Sequence, residues 1–269
     1  MDIERLRKII AYSEMNRDKV LANIKEFRAY AGMSSDEDVR NALQIVRAVL
    51  KRKGFLVFEI PVDTEEIGAM CYKSGGMGYI MINSSLPKVN VNFAICHEAC
   101  HAFYQEQDSD FRSKAELMDG YSYEHEREYA ANLFAGMFLM PEANFRYMYE
   151  FFRKESEGNE WDTILRLMNY YQMPYMAVLI RCYELGLPEA NYVPEAFLQA
   201  DREAVRRRFM ELWLDEAILL PDYRDDFFCL ERMVEELGRE YILGSYINER
   251  TLSIVLRNMK ALYHEIKGA

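Results

Sequence analysis

Val91-Asn92-Phe93-Ala94-Ile95-Cys96-His97-Glu98-Ala99-Cys100-His101-Ala102-Phe103-Tyr104 contains no proline or glycine and carries its apolar residues at helical spacing, so it predicts a helix. His97 and His101 are four positions apart, and on a helix residues so spaced stand one above the other. Both imidazoles then project from one face and can bind one cation. Glu98 lies about 100° further round the helix, beside such a cation rather than on it, where a base acting on a metal-bound water belongs. Phe93, Cys96, Cys100 and Phe103 recur at core-facing spacing, so the two cysteines read as small buried residues rather than ligands.

Two histidines do not complete a catalytic zinc site, which takes a third protein ligand and keeps one position open. The metzincin continuation would place Gly at 104 and His at 107, where this chain has Tyr104 and Gln107. The third ligand is therefore expected from a second helix, within Tyr123 to Met140. There Glu128, Ala131, Asn132 and Ala135 form one stripe of a carboxylate, an amide and two small residues, and small residues let helices approach closely. Glu128 is the expected ligand, and the Asn132 amide is placed to accept a hydrogen bond from the far nitrogen of a ligating histidine. Glu124 and Glu126 compete with Glu128, although a charged run also suits a solvated helix start. His125, Tyr123 and Tyr121 keep several readings open: donor to a developing oxyanion, alternative ligand, or structural residue.

Outward from this pair the chain reads as α+β and mostly helical. Asp2 to Lys53 carries helical spacing, with Ser34 or Ser35 as the expected N-cap of a helix running through Val46, Val49 and Leu50 to Gly54. Phe55 to Ile60, Ile67 to Tyr72 and Gly78 to Ile82 are β-type runs split by Pro61 and Gly75-Gly76, and they predict a small antiparallel sheet. Helical spacing resumes at Pro87 and persists, with breaks at Pro141, Gly158, Pro174, Pro188, Pro194, Pro221 and Gly244.

Half of the 269 residues are hydrophobic, enough for a substantial core. The formal charge of -11 opposes a phosphate backbone and argues against direct nucleic-acid binding. A basic cluster at Arg202, Arg206, Arg207 and Arg208 reads as a solvated helix face. Five cysteines without framework spacing imply reduced thiols, the opening residues lack signal-peptide blocks, and no run has the length of a membrane span. Together these place the chain in the cytoplasm, away from the membrane.

The residues resemble the ImmA/IrrE family of metallopeptidases. The resemblance rests on His97-Glu98-Ala99-Cys100-His101, on Glu128-Tyr129-Ala130-Ala131-Asn132-Leu133-Phe134-Ala135 ending in Leu139-Met140-Pro141, and on Gly78 to Asn83 ahead of the first motif. Ile164 to Leu187, with Arg181, Leu185 and Gly186, is similar to the family's closing helical pair. Two departures are Cys100 and Asn92-Phe93-Ala94, neither at an expected ligand.

The resemblance implies a zincin-like core over residues 38–188, flanked by an N-terminal helical segment, 1–37, and a helical region, 189–269. It implies one zinc ion, with manganese or another divalent metal as substitutes, and limited cleavage of a protein partner, a helix-turn-helix transcriptional repressor. The alternative is a non-catalytic metal-binding regulator on the same fold; a purely structural site, however, needs no Glu98 and closes with four protein ligands. Gly78 to Asn83 is expected to take substrate as an added strand. The last region predicts amphipathic helices, with Trp213, Phe227, Phe228 and Tyr241 at apolar positions, for partner recognition, dimerisation or extra core. Oligomeric state is left open.

Overall fold

The first helix, α1 (Ile3–Ala31), follows from apolar residues that return every third or fourth position: Leu6, Val20, Ile24 and Phe27 are buried along one side. The computed structural model describes residues 3–34, 39–74, 77–104, 126–187 and 201–268. The second helix, α2 (Ala42–Arg52), buries Ala42, Val46, Val49 and Leu50 and is entered from Asn41, which takes the left-handed conformation at φ 57. Asn tolerates that conformation better than most residues. The expected cap is thus displaced: the carbonyl of Ser34 instead accepts a bond from Arg28 Nη1, and Ser35 lies outside the described residues.

Three strands follow, β1 (Phe55–Ile60), β2 (Ala69–Ser74) and β3 (Met77–Asn83), in the order β1-β3-β2. The sheet is mixed, which corrects the expectation of an antiparallel one. β2 pairs antiparallel with β3, while β1 runs parallel to it with Phe55 opposite Gly78 and Ile60 opposite Asn83. Composition explains the order. β3 carries the fully buried Ile80 and Ile82 and takes the centre, whereas Leu56 on β1 and Lys73 on β2 are exposed at the edges. Gly78 allows the close approach, since a Cβ there would stand 2.5 Å from the Phe55 ring. Asn83 organises the crossover from β1 to β2: its Oδ1 accepts from the Val62 N–H at 3.1 Å, and its Nδ2 donates to the carbonyls of Thr64 and Ile67 at 2.8 and 2.9 Å. Because β3 is central, it cannot receive an added strand. β2, which lies against the histidine-bearing helix, has no strand on its other side among the described residues.

The remaining helices are α3 (Lys88–Tyr104), α4 (Glu126–Leu139), α5 (Glu142–Glu155), α6 (Glu160–Tyr171), α7 (Tyr175–Glu184), α8 (Arg202–Glu211), α9 (Phe227–Leu243) and α10 (Glu249–Ile266), with a 3-10 turn at Glu216–Leu219. The breaks at Pro141, Gly158, Pro174 and Gly244 fall between helices, and the Asn159 side chain caps α6 by accepting from the Asp162 N–H. Pro188 and Pro194 lie outside the described residues.

One hydrophobic core runs from Leu6 to Ile218, so buried packing crosses both residue 38 and residue 188. At its centre Phe27 of α1 meets Phe103 of α3 and Phe134 and Phe138 of α4, edge to face, at 5.0, 5.6 and 5.2 Å between ring centroids. Segment 220–226 then straps the C-terminal helices to this body. Lys88 N–H donates to the Leu220 carbonyl, Tyr223 N–H to that of Ser84, and Asp226 N–H to that of Glu59 at the outer edge of β1. Among the described residues no helix is long and apolar enough to cross a membrane.

Candidate metal centre

Both helices that carry the expected ligands are tied to other elements near their ends. The N-terminus of α3 is held by the strap at Lys88, and near its C-terminus the Tyr104 hydroxyl donates to the Asn23 carbonyl of α1 at 2.7 Å. At the far end of α4, buried Arg28 donates from Nη2 to the Phe138 carbonyl, and buried Arg181 donates from Nε to the Met140 carbonyl, each at 3.1 Å. Cations suit that position because the last carbonyls of a helix are unpartnered and the dipole is negative there. Arg181 keeps its charge in the interior through Glu184, 2.9 Å away. On α4 the buried Ala131 and Ala135 share the stripe of Glu128 and Asn132, and these small side chains let the two backbones approach closely.

The helix pair brings three side chains together. His97 Nε2 lies 2.9 Å from His101 Nε2 and 3.0 Å from Glu128 Oε2, and His101 Nε2 lies 3.3 Å from Glu128 Oε1. On its other side His97 Nδ1 meets Asn132 Oδ1 at 3.0 Å. An amide oxygen only accepts, so Nδ1 carries the proton and Nε2 turns its lone pair toward His101 and Glu128. Two imidazole nitrogens and a carboxylate at these separations repel one another unless positive charge sits among them. Bonds of about 2.0–2.1 Å at tetrahedral angles set ligand atoms roughly 3.3 Å apart, close to the spacing here. The donor set therefore fits a metal ion, and His97, His101 and Glu128 form the one such group among the described residues. Burial opposes the charge of Glu128; when His101 and His97 carry a proton on Nε2 in place of a metal, their hydrogen bonds and charge outweigh it and hold the carboxyl well below the usual carboxylate range.

Glu98 follows His97 on α3 and is buried at 7 % exposure. Cys96 and Cys100 are buried as well. Burial, with the Glu128 and Glu98 carboxylates adding to it, pushes the Cys100 thiol up to about 12, and burial alone pushes Cys96 up. Both are neutral thiols filling space between helices, not ligands. Tyr121, Tyr123, Glu124 and His125 lie outside the described residues. Sequence reasoning gave no role to Arg28 or Asn23, whose partners are distant in the chain, and knew Arg181 only as part of a resemblance.

Residues 50–183 match the model of the Peptidase M78 family, described as the IrrE N-terminal-like domain. Through these residues the chain belongs to the IrrE N-terminal-like family. The matched stretch holds all three strands, α3, α4 and the His97–His101–Glu128 group, and it ends within α7. Phe27 and Arg28 contribute to this IrrE N-terminal-like domain from outside the matched stretch. Neither the curated proteins nor the solved structures contain a significant match to the chain.

Proposed function

We propose that the protein is a zinc-dependent endopeptidase in which His97, His101 and Glu128 hold one zinc ion, Glu98 is the general base and Asn132 orients His97. The observation that carries this reading is the convergence of three metal-binding atoms with the Asn132 carbonyl on the far nitrogen of His97. When bound, the metal supplies Lewis acidity, polarising a scissile carbonyl and making water nucleophilic near neutral pH. Zinc suits a set of two imidazoles and one carboxylate; manganese and other divalent ions are admitted by the same donors at lower selectivity.

The remaining steps belong to the chain's own groups. Glu98 takes the proton from the attacking water and passes it to the leaving amine, which a carboxylate one residue from a ligand is positioned to do. His97 is kept in one tautomer by Asn132. The open edge of β2, against α3, offers main-chain N–H and C=O groups to an extended peptide, and added-strand binding favours flexible segments over folded ones. The family resemblance supports limited cleavage of one protein or a few, and the proposed substrate is a helix-turn-helix transcriptional repressor. Five free cysteines fit a reducing cytoplasm.

The test is metal content of the purified chain, followed by incubation of metal-loaded protein with a lysate of source cells and mass-spectrometric counting of new N-termini. Glu98→Gln is the control: it keeps the metal and loses cleavage, because an amide cannot take the proton. One or a few Glu98-dependent cuts are expected. Hundreds of unrelated cuts would make it a general peptidase, and none under any metal condition would make it a non-catalytic regulator.

A further inference from the structure

The C-terminal hairpin of α9 and α10 stands outside the core. Among the described residues the buried cluster and the side chains packed on it end at Leu219, and within the two helices only Gly238 and Leu252 are buried. The hairpin is nevertheless well joined internally. Phe227 stacks on Tyr263 at 3.8 Å, Lys260 pairs with Glu231 at 2.7 Å, and a Cβ on Gly238 would stand 2.3 Å from Leu252. These contacts fix which sides of the helices face each other, and helical spacing then assigns the other two faces. One is charged: Glu235, Arg239, Glu249, Arg257 and Lys260 line a shallow groove there. The opposite face is apolar and carries Leu230, Val234, Leu237 and Tyr241 from α9 with Val255 and Leu262 from α10. Leu237 is 48 % exposed and Leu262 58 %.

We infer that this apolar face is the interface between two copies of the chain, which pair their hairpins into a four-helix bundle. Three observations select a second copy as occupant. First, a helical hairpin that buries two residues lacks the apolar packing that makes helices stable, so it needs permanent cover. Another copy is the one partner always present at matching concentration. Second, the chain carries a net charge of -11, so copies repel through most of their surface, whereas the polar members of this face, Thr251 and Asn258, are uncharged. Third, the area suffices. A helix of 17 residues is about 25 Å long and two side by side are roughly 20 Å wide, giving about 500 Å² a side and about 1,000 Å² for the pair, the threshold of a specific interface. Tyr241 and the exposed Tyr246 at the hairpin tip supply the aromatic contacts that such interfaces favour.

Sedimentation velocity and native mass spectrometry of the full chain across a micromolar concentration series test this. The expected species is a dimer of the 31.8 kDa chain. Leu237→Glu and Leu262→Glu, both at exposed positions, should each raise the dimer dissociation constant by about a hundredfold, as for a central interface contact, while Arg257→Glu on the charged face leaves it unchanged. Amide exchange in α9 and α10 should slow as concentration rises, a readout that requires no variant to fold. A wild-type chain that stays monomeric, a dimer indifferent to both apolar-face variants, or a hairpin protected only when another protein or a lipid vesicle is added would overturn the inference.

Discussion

Replacing Asn132 by Ala removes one hydrogen bond, the 3.0 Å contact from His97 Nδ1 to the amide oxygen, and leaves His97, His101 and Glu128 untouched. With no acceptor at Nδ1, the imidazole proton is free to occupy Nε2, the atom facing His101 and Glu128, and must be displaced before a metal can bind there. Loss of such a supporting bond typically weakens metal binding 10- to 100-fold, about 1.4–2.7 kcal/mol at 1.36 kcal/mol per decade. His97 is only 14 % exposed at its side chain, so water restores little of the bond, and the upper half of that range is expected. The assay is competition for zinc against a chromogenic chelator, run on the wild type, Asn132→Ala, Asn132→Asp and Glu128→Ala. Asn132→Asp keeps an acceptor and should bind at least as tightly as the wild type, whereas Glu128→Ala, lacking a ligand, should be weakest. An Asn132→Ala affinity within twofold of wild type would refute the tautomer argument. Loss as complete as that of Glu128→Ala, with an unchanged melting temperature for the metal-free protein, would make Asn132 a ligand instead.

Phe27→Ala should cost about 3–5 kcal/mol in denaturant titration, since it empties the centre of the aromatic cluster joining α1 to α3 and α4; a loss below about 1 kcal/mol would show α1 to be peripheral. Cys100→Ala should keep one metal per chain and full cleavage, because a neutral buried thiol is not a ligand; missing metal by elemental analysis would reverse that assignment. Asn83→Ala strands the buried partners of its amide near Val62, Thr64 and Ile67 and should cost about 2–5 kcal/mol, with faster amide exchange across residues 61–68. Unchanged exchange there would show that the crossover is held by other contacts.

The local half of the site was legible because its geometry is intrahelical. His97 and His101 meet through a four-residue spacing that any α-helix enforces, and Glu128 with Asn132 repeats that spacing on α4. Strand existence was legible too, but not strand order. The Gly75-Gly76 turn announces a β2–β3 hairpin, yet nothing local says that β3 inserts beside β1 in parallel. That arrangement depends on a long-range choice, the burial of Ile80 and Ile82 at the sheet centre, and on the Asn83 amide that ties the crossover. The start of α2 was misplaced for a related reason: Ser34 has the side chain of a helix cap, but Arg28 takes its carbonyl and Asn41 starts the helix from a left-handed residue.

The supports of the site were hidden because each joins elements far apart in the chain. Arg28 on α1 and Arg181 on α7 both end on carbonyls at the close of α4, so one ligand helix is fixed from two sides. The other is fixed by Asn23 of α1 near its C-terminus and by Leu220 of the strap at its start. Three of these four groups lie outside residues 50–183. A three-atom metal site tolerates little displacement, since its donors must remain about 2 Å from one point. The matched domain therefore carries the His97–His101–Glu128 group, while α1 and the strap hold its two helices at the spacing that a shared metal ion would require.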